Sequence, residues 1–212
     1  MPTAGTFLRM NTLELFLLDH ARVHAASLTN NAGGLSVAEL AARNLSDEQW
    51  RLRPHGLNSL AWIFWHIARC EDAAVNIMVA NTPQVFDGEP WAARLSISRR
   101  DVGTEMSLAE VEDFSRVVNV PAIRDYRNAV GSRTRGIAKS IRPDELNDVP
   151  PAERLEEIRG QGVLIPKAEW VLKIWDGKPV GWFLAWLAAG HSYMHLGQGR
   201  WVKKLILVGV TS

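Results

Sequence analysis

The stretch Ser59-Leu-Ala-Trp62-Ile-Phe-Trp65-His66-Ile-Ala-Arg69-Cys70-Glu71-Asp72 brings Ser59, Trp62, His66, Cys70 and Ala73 to one face, at spacings of three and four. That is the period of an amphipathic helix. A second stretch near the end of the chain, His191-Ser-Tyr-Met194-His195-Leu-Gly-Gln198, has the same period. Four residues advance an α-helix by ~400°, so His191 and His195 sit ~40° apart, one turn from each other. Leu184, Leu187, Ala188, His191, Met194, His195, Gln198 and Val202 share that face. Both faces are apolar apart from the histidines, Ser59, Cys70 and Gln198, so both are expected to point inward. Buried imidazoles need partners, because an unpaired buried polar group costs about 1–3 kcal/mol. A shared metal ion satisfies three at once, and His66, His191 and His195 with no obvious fourth ligand describe an open site. The competing reading is that each imidazole bonds a carbonyl or a neighbouring side chain.

The same helical spacing runs through the rest of the chain, and β-type alternation is nearly absent. A first helix is expected over Thr12–Leu28, stopped by Asn30-Asn-Ala-Gly-Gly34. Ser36-Val-Ala-Glu39, Ser46-Asp-Glu-Gln49 and Ser107-Leu-Ala-Glu110 each fit a capping box and predict short helices. Asn58 or Ser59 caps the second long helix, which reaches about Val79. Pro121 suits the first turn of a third, ending near Ile141, which Gly131 and Gly136 weaken. A polar connection with one or two helical turns spans Arg142 to Gly162, and a brief helix covers Ile165–Trp175. Pro179 or Val180 starts the fourth long helix, ending near Lys203 and Lys204, which complement its dipole. These elements predict an all-α protein: one four-helix-bundle domain over residues 1–212, with a long decorated connection before the last helix.

Composition narrows the function classes. The 24 Lys and Arg nearly balance 23 Asp and Glu, which gives nucleic acid no basic surface. The single cysteine excludes an internal disulfide, and the N-terminus lacks a signal-peptide layout. Together these lead to the expectation of a cytoplasmic protein. No apolar run is long enough to span a membrane. Nine Trp suit either a core or the walls of a roomy pocket. No phosphate loop, dinucleotide fingerprint or nucleophile elbow occurs.

The segments Asn58-Ser59-Leu-Ala-Trp62-Ile-Phe-Trp65-His66-Ile-Ala-Arg69-Cys-Glu71-Asp72 and His191-xxx-His195-Leu-Gly197-Gln198, with the lead-in Leu45-Ser-Asp-Glu-Gln-Trp50-Arg-Leu-Arg-Pro54, resemble the DinB-type four-helix bundles. The order and separation of these pieces match over most of the chain. The resemblance implies a divalent metal, zinc or nickel, on His66, His191 and His195, and a homodimer. It also implies a metal-dependent transferase that uses a low-molecular-weight thiol. An open His site serves a hydrolase equally well, and a non-catalytic metal- or ligand-binding bundle is a third reading. Cys70, one turn beyond His66, admits a fourth ligand, a nucleophile or packing, and packing suits a small soft side chain on an inner face. Gln198 either orients a bound water or is solvated. Glu71, ~140° from His66, reads as a surface group or a carboxylate behind a metal-bound histidine. His20 and His24 form another i,i+4 pair, read as hydrogen-bonding or pocket-lining; His24 as an acid/base catalyst, or a further metal there, is the sharper alternative. Arg22, Arg53 and Arg69 are expected to face solvent.

Overall fold

The computed structural model describes residues 10–25, 28 and 34–209. They form helices α1 (Thr12–Val23), α2 (Val37–Ala42), α3 (Asp47–Arg51), α4 (Leu60–Ala73), α5 (Val85–Gly88), α6 (Trp91–Leu95), α7 (Leu108–Val117), α8 (Val120–Ser140), α9 (Glu153–Gly160), α10 (Trp170–Trp175), α11 (Val180–Trp182) and α12 (His191–Leu207). Strands are absent among the described residues. The three capping boxes form as expected, each Ser accepting from the backbone three residues on while Glu or Gln returns to the cap. A fourth, Asn11 with Glu14, opens α1.

Helix α1 is shorter than expected. It ends at Val23, because His24 takes an extended backbone, and Arg127 on α8 donates to the Val23 carbonyl at 2.7 Å. Of the expected stop signal, residues 30–33 lie outside the described residues. The polar connection carries a 3₁₀ turn (Pro143–Asn147) and α9, and the 3₁₀ turn Pro166–Ala168 precedes α10.

Two long helices change winding part-way. Helix α4 continues into π-helical turns over Ala74–Ala80, and α11 runs through π-helical Phe183–Gly190 into α12. The i→i+5 turns rotate less per residue than α turns. The stripe buried along α12 is therefore Ser192, Leu196, Gly199, Val202 and Ile206. Met194 and Gln198, expected inside, are exposed, and His191 and His195 lie half-buried at the edge of that stripe.

Helix α4 is the centre of the molecule. All fourteen residues from Leu60 to Ala73 are buried, packed against α3, α7, α8 and α12. The expectation of a solvent-facing Arg69 is consequently wrong. It is fully buried, donating to the Asp72 carboxylate (3.1 Å), the Tyr126 hydroxyl (2.9 Å) and the Arg100 carbonyl (2.7 Å). Asp72 also accepts from the Val85 and Phe86 backbone at 2.8 and 2.9 Å, which ties α5 to α4. Arg53 is likewise not free: it donates to the carbonyls of Gly56, Leu57 and Leu108. Arg22 is exposed, as expected.

Candidate metal centre

His66 leaves the middle of α4 and is 4% exposed. Its Nδ1 lies 2.5 Å from the Val102 carbonyl, so this nitrogen carries the proton and donates, leaving the Nε2 lone pair free. The carbonyl is aimed by the 101–106 loop. Gly103 there has φ +83°, and a Cβ would lie 2.5 Å from the Trp65 ring, so only glycine lets the loop lie flat on α4. Asp101 fastens the same turn by accepting from Gly103 N at 2.8 Å.

The rings of the expected trio lie close together, but the donor atoms that all fall within 4.8 Å of one another are those of His66, Cys70 and His191, without His195. The His66 and His191 ring centroids are 5.1 Å apart, His66 and His195 4.8 Å, and His191 and His195 4.5 Å, each pair edge to face. His195 Nδ1 pairs with the Gln198 Oε1 at 2.9 Å, which again leaves Nε2 outward-directed as a lone pair. Gln198 thus has a definite partner, neither purely solvated nor reaching for water. His191 Nδ1 is buried without a hydrogen-bond partner. Burial, followed by the mutual repulsion of the neighbouring imidazoles, pushes His66 down to about 3 and His191 to about 2. Burial lowers His195 as well, against the Gln198 bond. All three rings are neutral at pH 7.

Cys70 joins the cluster from one turn along α4. Its Sγ is 3.8 Å from both ring nitrogens of His66, and donor atoms of His66, Cys70 and His191 all fall within 4.8 Å of one another. Burial raises this thiol to about 12, with the Arg69 charge opposing.

The rings open on a groove of about 470 Å³. Its walls include Trp62, Trp170, Trp175, Trp186, Ile174 and Met194. Trp62 stacks on His66 at 4.6 Å and 11°. Trp50, Trp65 and Trp91, in contrast, are buried away from it. The tryptophans thus divide between the two roles that composition allows. Glu105 is the one carboxylate among the groove's lining residues, and Lys167 (3.3 Å) and the Trp170 indole (3.3 Å) already hold it.

Glu71 is neither a surface group nor behind His66. It is fully buried on the opposite side of α4, accepting from His20 Nε2 at 2.9 Å and His24 Nε2 at 3.0 Å. His20 and His24 are stacked at 4.2 Å and wholly buried. The pair hydrogen-bonds Glu71, as one of the two readings expects, and the ligand atoms of His20, His24 and Glu71 also lie within 4.8 Å of one another, a spacing that could hold a metal ion. Burial works against the Glu71 charge, but the two imidazoles hold its carboxyl well below the usual range. Burial pushes His24 down to about 3 despite Glu71. Sequence reasoning also missed Val102, which acts through its backbone and so leaves no side-chain signal.

The sequence profile of the DinB superfamily matches residues 35–198. The chain belongs to the DinB superfamily. A crystal structure described as a conserved protein from Enterococcus faecalis shares the fold at a TM-score of 0.61 and 18% identity, covering 94% of this chain and 99% of that one. No curated protein matches the chain. Metal binding is common in this superfamily, and the residues here fit it. Neutral nitrogen donors, a buried His191 nitrogen without a hydrogen-bond partner and a nearby thiol form a donor set compatible with a metal ion. No helix among the described residues is long and apolar enough to cross a membrane.

Proposed function

We propose that this DinB bundle is a metal-dependent transferase that activates a small thiol, with His66, His191 and His195 holding a divalent ion, zinc or nickel. The observation that carries the reading is the meeting of three neutral imidazoles on an open apolar groove, with two of their Nδ1 protons already committed to Val102 and Gln198. Such commitments fix the tautomer and leave the remaining lone pairs of those rings free for an ion. A bound divalent ion supplies the acidity that turns a thiol into a thiolate near neutral pH. The chain's own part is to orient and to exclude water. Trp62, Trp170, Trp175 and Trp186 form a low-polarity wall for the body of an electrophile. A low-molecular-weight thiol and a small electrophile are the partners this reading requires, and a homodimer in the cytoplasm its setting.

Calorimetric titration of chelator-treated protein is expected to find one tight site for zinc or nickel. His66→Ala removes it, and His195→Ala weakens it by roughly a hundredfold or more. Unchanged affinity in His195→Ala strikes that residue from the set. Thiol-dependent turnover of electrophilic probes is expected to stop on chelation and return with metal; turnover indifferent to chelator overturns the enzymatic reading.

A further inference from the structure

The family resemblance stops at three histidines, but a sulfur is buried among them about as deeply as His66. Cys70 Sγ is 5% exposed at the floor of the groove, 3.8 Å from the His66 nitrogens, and shares a donor set with His66 and His191. Sulfur at about 2.3 Å and nitrogen at about 2.0 Å from one tetrahedral ion are roughly 3.6 Å apart. The observed separation is within a few tenths of an ångström of that spacing. A thiol kept only for packing has no need of two imidazoles whose free lone pairs face its neighbourhood, one of them with an unpartnered buried Nδ1. His195 stands beside this set, its Nδ1 on Gln198 and its ring centroid 4.8 Å from that of His66.

We infer that Cys70 is a ligand of the metal, its thiolate joining His66, His191 and His195 in a mixed sulfur and nitrogen site. The inference rests on the metal-binding reading above. On coordination the Sγ–H bond breaks, the proton leaves to solvent and the sulfur lone pair forms the bond to the ion, so no oxidant or reductant is involved. One thiolate among three imidazoles biases the site toward softer ions, zinc and cadmium over magnesium and manganese. Cys70 and the histidines would hold the ion, and the ion would supply the acidity that makes a substrate thiol a thiolate.

Cobalt(II) is the probe. Chelator-treated wild-type protein is titrated with cobalt(II) and its visible and near-ultraviolet absorption recorded, beside Cys70→Ser and Cys70→Ala. Visible ligand-field bands report uptake by the histidines; an intense near-ultraviolet sulfur-to-cobalt charge-transfer band reports the thiolate. The expected result is both in wild type, and ligand-field bands without the charge-transfer band in both variants, with cadmium affinity lowered roughly tenfold or more. Ligand-field bands in wild type with no charge-transfer band overturn the role of Cys70 and leave the histidine site standing. No uptake at all overturns both readings. Cys70→Ser keeps the side-chain volume, and circular dichroism of each variant separates lost ligation from lost fold.

Discussion

The bundle contains two i,i+4 histidine pairs, each turned toward the central helix α4, and they differ in what α4 offers them. His20 and His24 meet a carboxylate: stacked at 4.2 Å and 28°, wholly buried, both Nε2 atoms on Glu71. His191 and His195 meet a third imidazole and a thiol, lie edge to face at 4.5 Å, and open on the groove. In the first pair the negative charge of Glu71 is balanced by the buried guanidinium of Arg127, which acts electrostatically on both Glu71 and His24. A dication there adds two positive charges to a dry cluster whose one carboxylate is already balanced by Arg127. In the second pair no carboxylate consumes the lone pairs. Spacing along a helix therefore specifies two neighbouring imidazoles and no more; the group across from them decides between a sealed polar core and a ligand set.

The sharpest way to break this comparison is to remove the carboxylate. Glu71→Ala leaves Arg127 buried and uncompensated and both imidazoles without acceptors. It is expected to cost about 3–5 kcal/mol, measured by urea denaturation of the metal-free protein. Metal stoichiometry, measured on whatever fraction remains folded, is expected to stay at the wild-type value. A fall in stoichiometry makes His20, His24 and Glu71 a metal site after all.

Much of this was legible in the sequence, and the failures have a common cause. The capping boxes at Ser36, Ser46 and Ser107 are local chemistry and formed where read. Ser59, Pro121 and Pro179 mark the starts of the long helices as expected from local signals, with Asn119, not singled out from the sequence, as the cap of the third. The closeness of the His66, His191 and His195 rings came from periodicity on two helices. Arg69 and Glu71 were misread because facing arguments assume that a helix has a wet side, and α4 has none. Met194 and Gln198 were misplaced because the π-helical turns over Phe183–Gly190 rotate the residues beyond them, and a run of apolar residues with one terminal glycine gives no local sign of that winding. Only the unpaired demand of His20 and His24 for an acceptor pointed to Glu71, and three charges in a row on α4 looked like an outer face.

A smaller change tests the sealing alone. A Cβ at Gly131 would lie 2.6 Å from the His24 Nδ1 and Cε1 and from Leu28 Cδ2. Gly131→Ala therefore pushes His24 off Glu71, and overpacking of this kind costs about 1–3 kcal/mol, read by thermal or urea denaturation. The gain in helix propensity on α8 works the other way by under about 1 kcal/mol. Net stabilisation sinks the claim that this glycine exists to admit the imidazole. It weakens the expected third helix, as the sequence suggests, for a packing reason the sequence does not give.

Acid separates the two regions by protonation. His24, His66 and His191 have folded values pushed below 6.5, to about 3, 3 and 2, chiefly by burial. The unfolded chain then binds more protons than the folded one between those values and 6.5, so stability is fully present above pH 6.5 and falls as pH drops through that window. Each such group contributes about 1.4 kcal/mol per pH unit. His191→Leu removes one contributor from the groove side, with the sealed side untouched. The slope of unfolding free energy against pH, between 6 and 4 in metal-free protein, is expected to flatten by roughly that amount. An unchanged slope means His191 is not held neutral.

The smallest effect belongs to Gln198, an exposed residue that hydrogen-bonds His195. Its Oε1 accepts from His195 Nδ1, which fixes the tautomer and leaves the Nε2 lone pair free on a ring 4.8 Å from His66 and 4.5 Å from His191. Without it the ring is free to turn and the proton to move to Nε2, so some binding energy goes to restoring the arrangement. Because Gln198 is exposed, water replaces it in part, and Gln198→Ala is expected to lower zinc affinity by about tenfold or less, near 1.4 kcal/mol. Gln198→Glu puts a stronger acceptor on the same nitrogen and is expected to raise affinity. The two variants moving affinity in opposite directions, with denaturation midpoints of the metal-free protein unchanged, is what orientation of His195 requires. Equal losses in both mean that the side chain serves the helix surface alone, and the groove pair then lacks one of the two anchors that set it apart from the sealed pair.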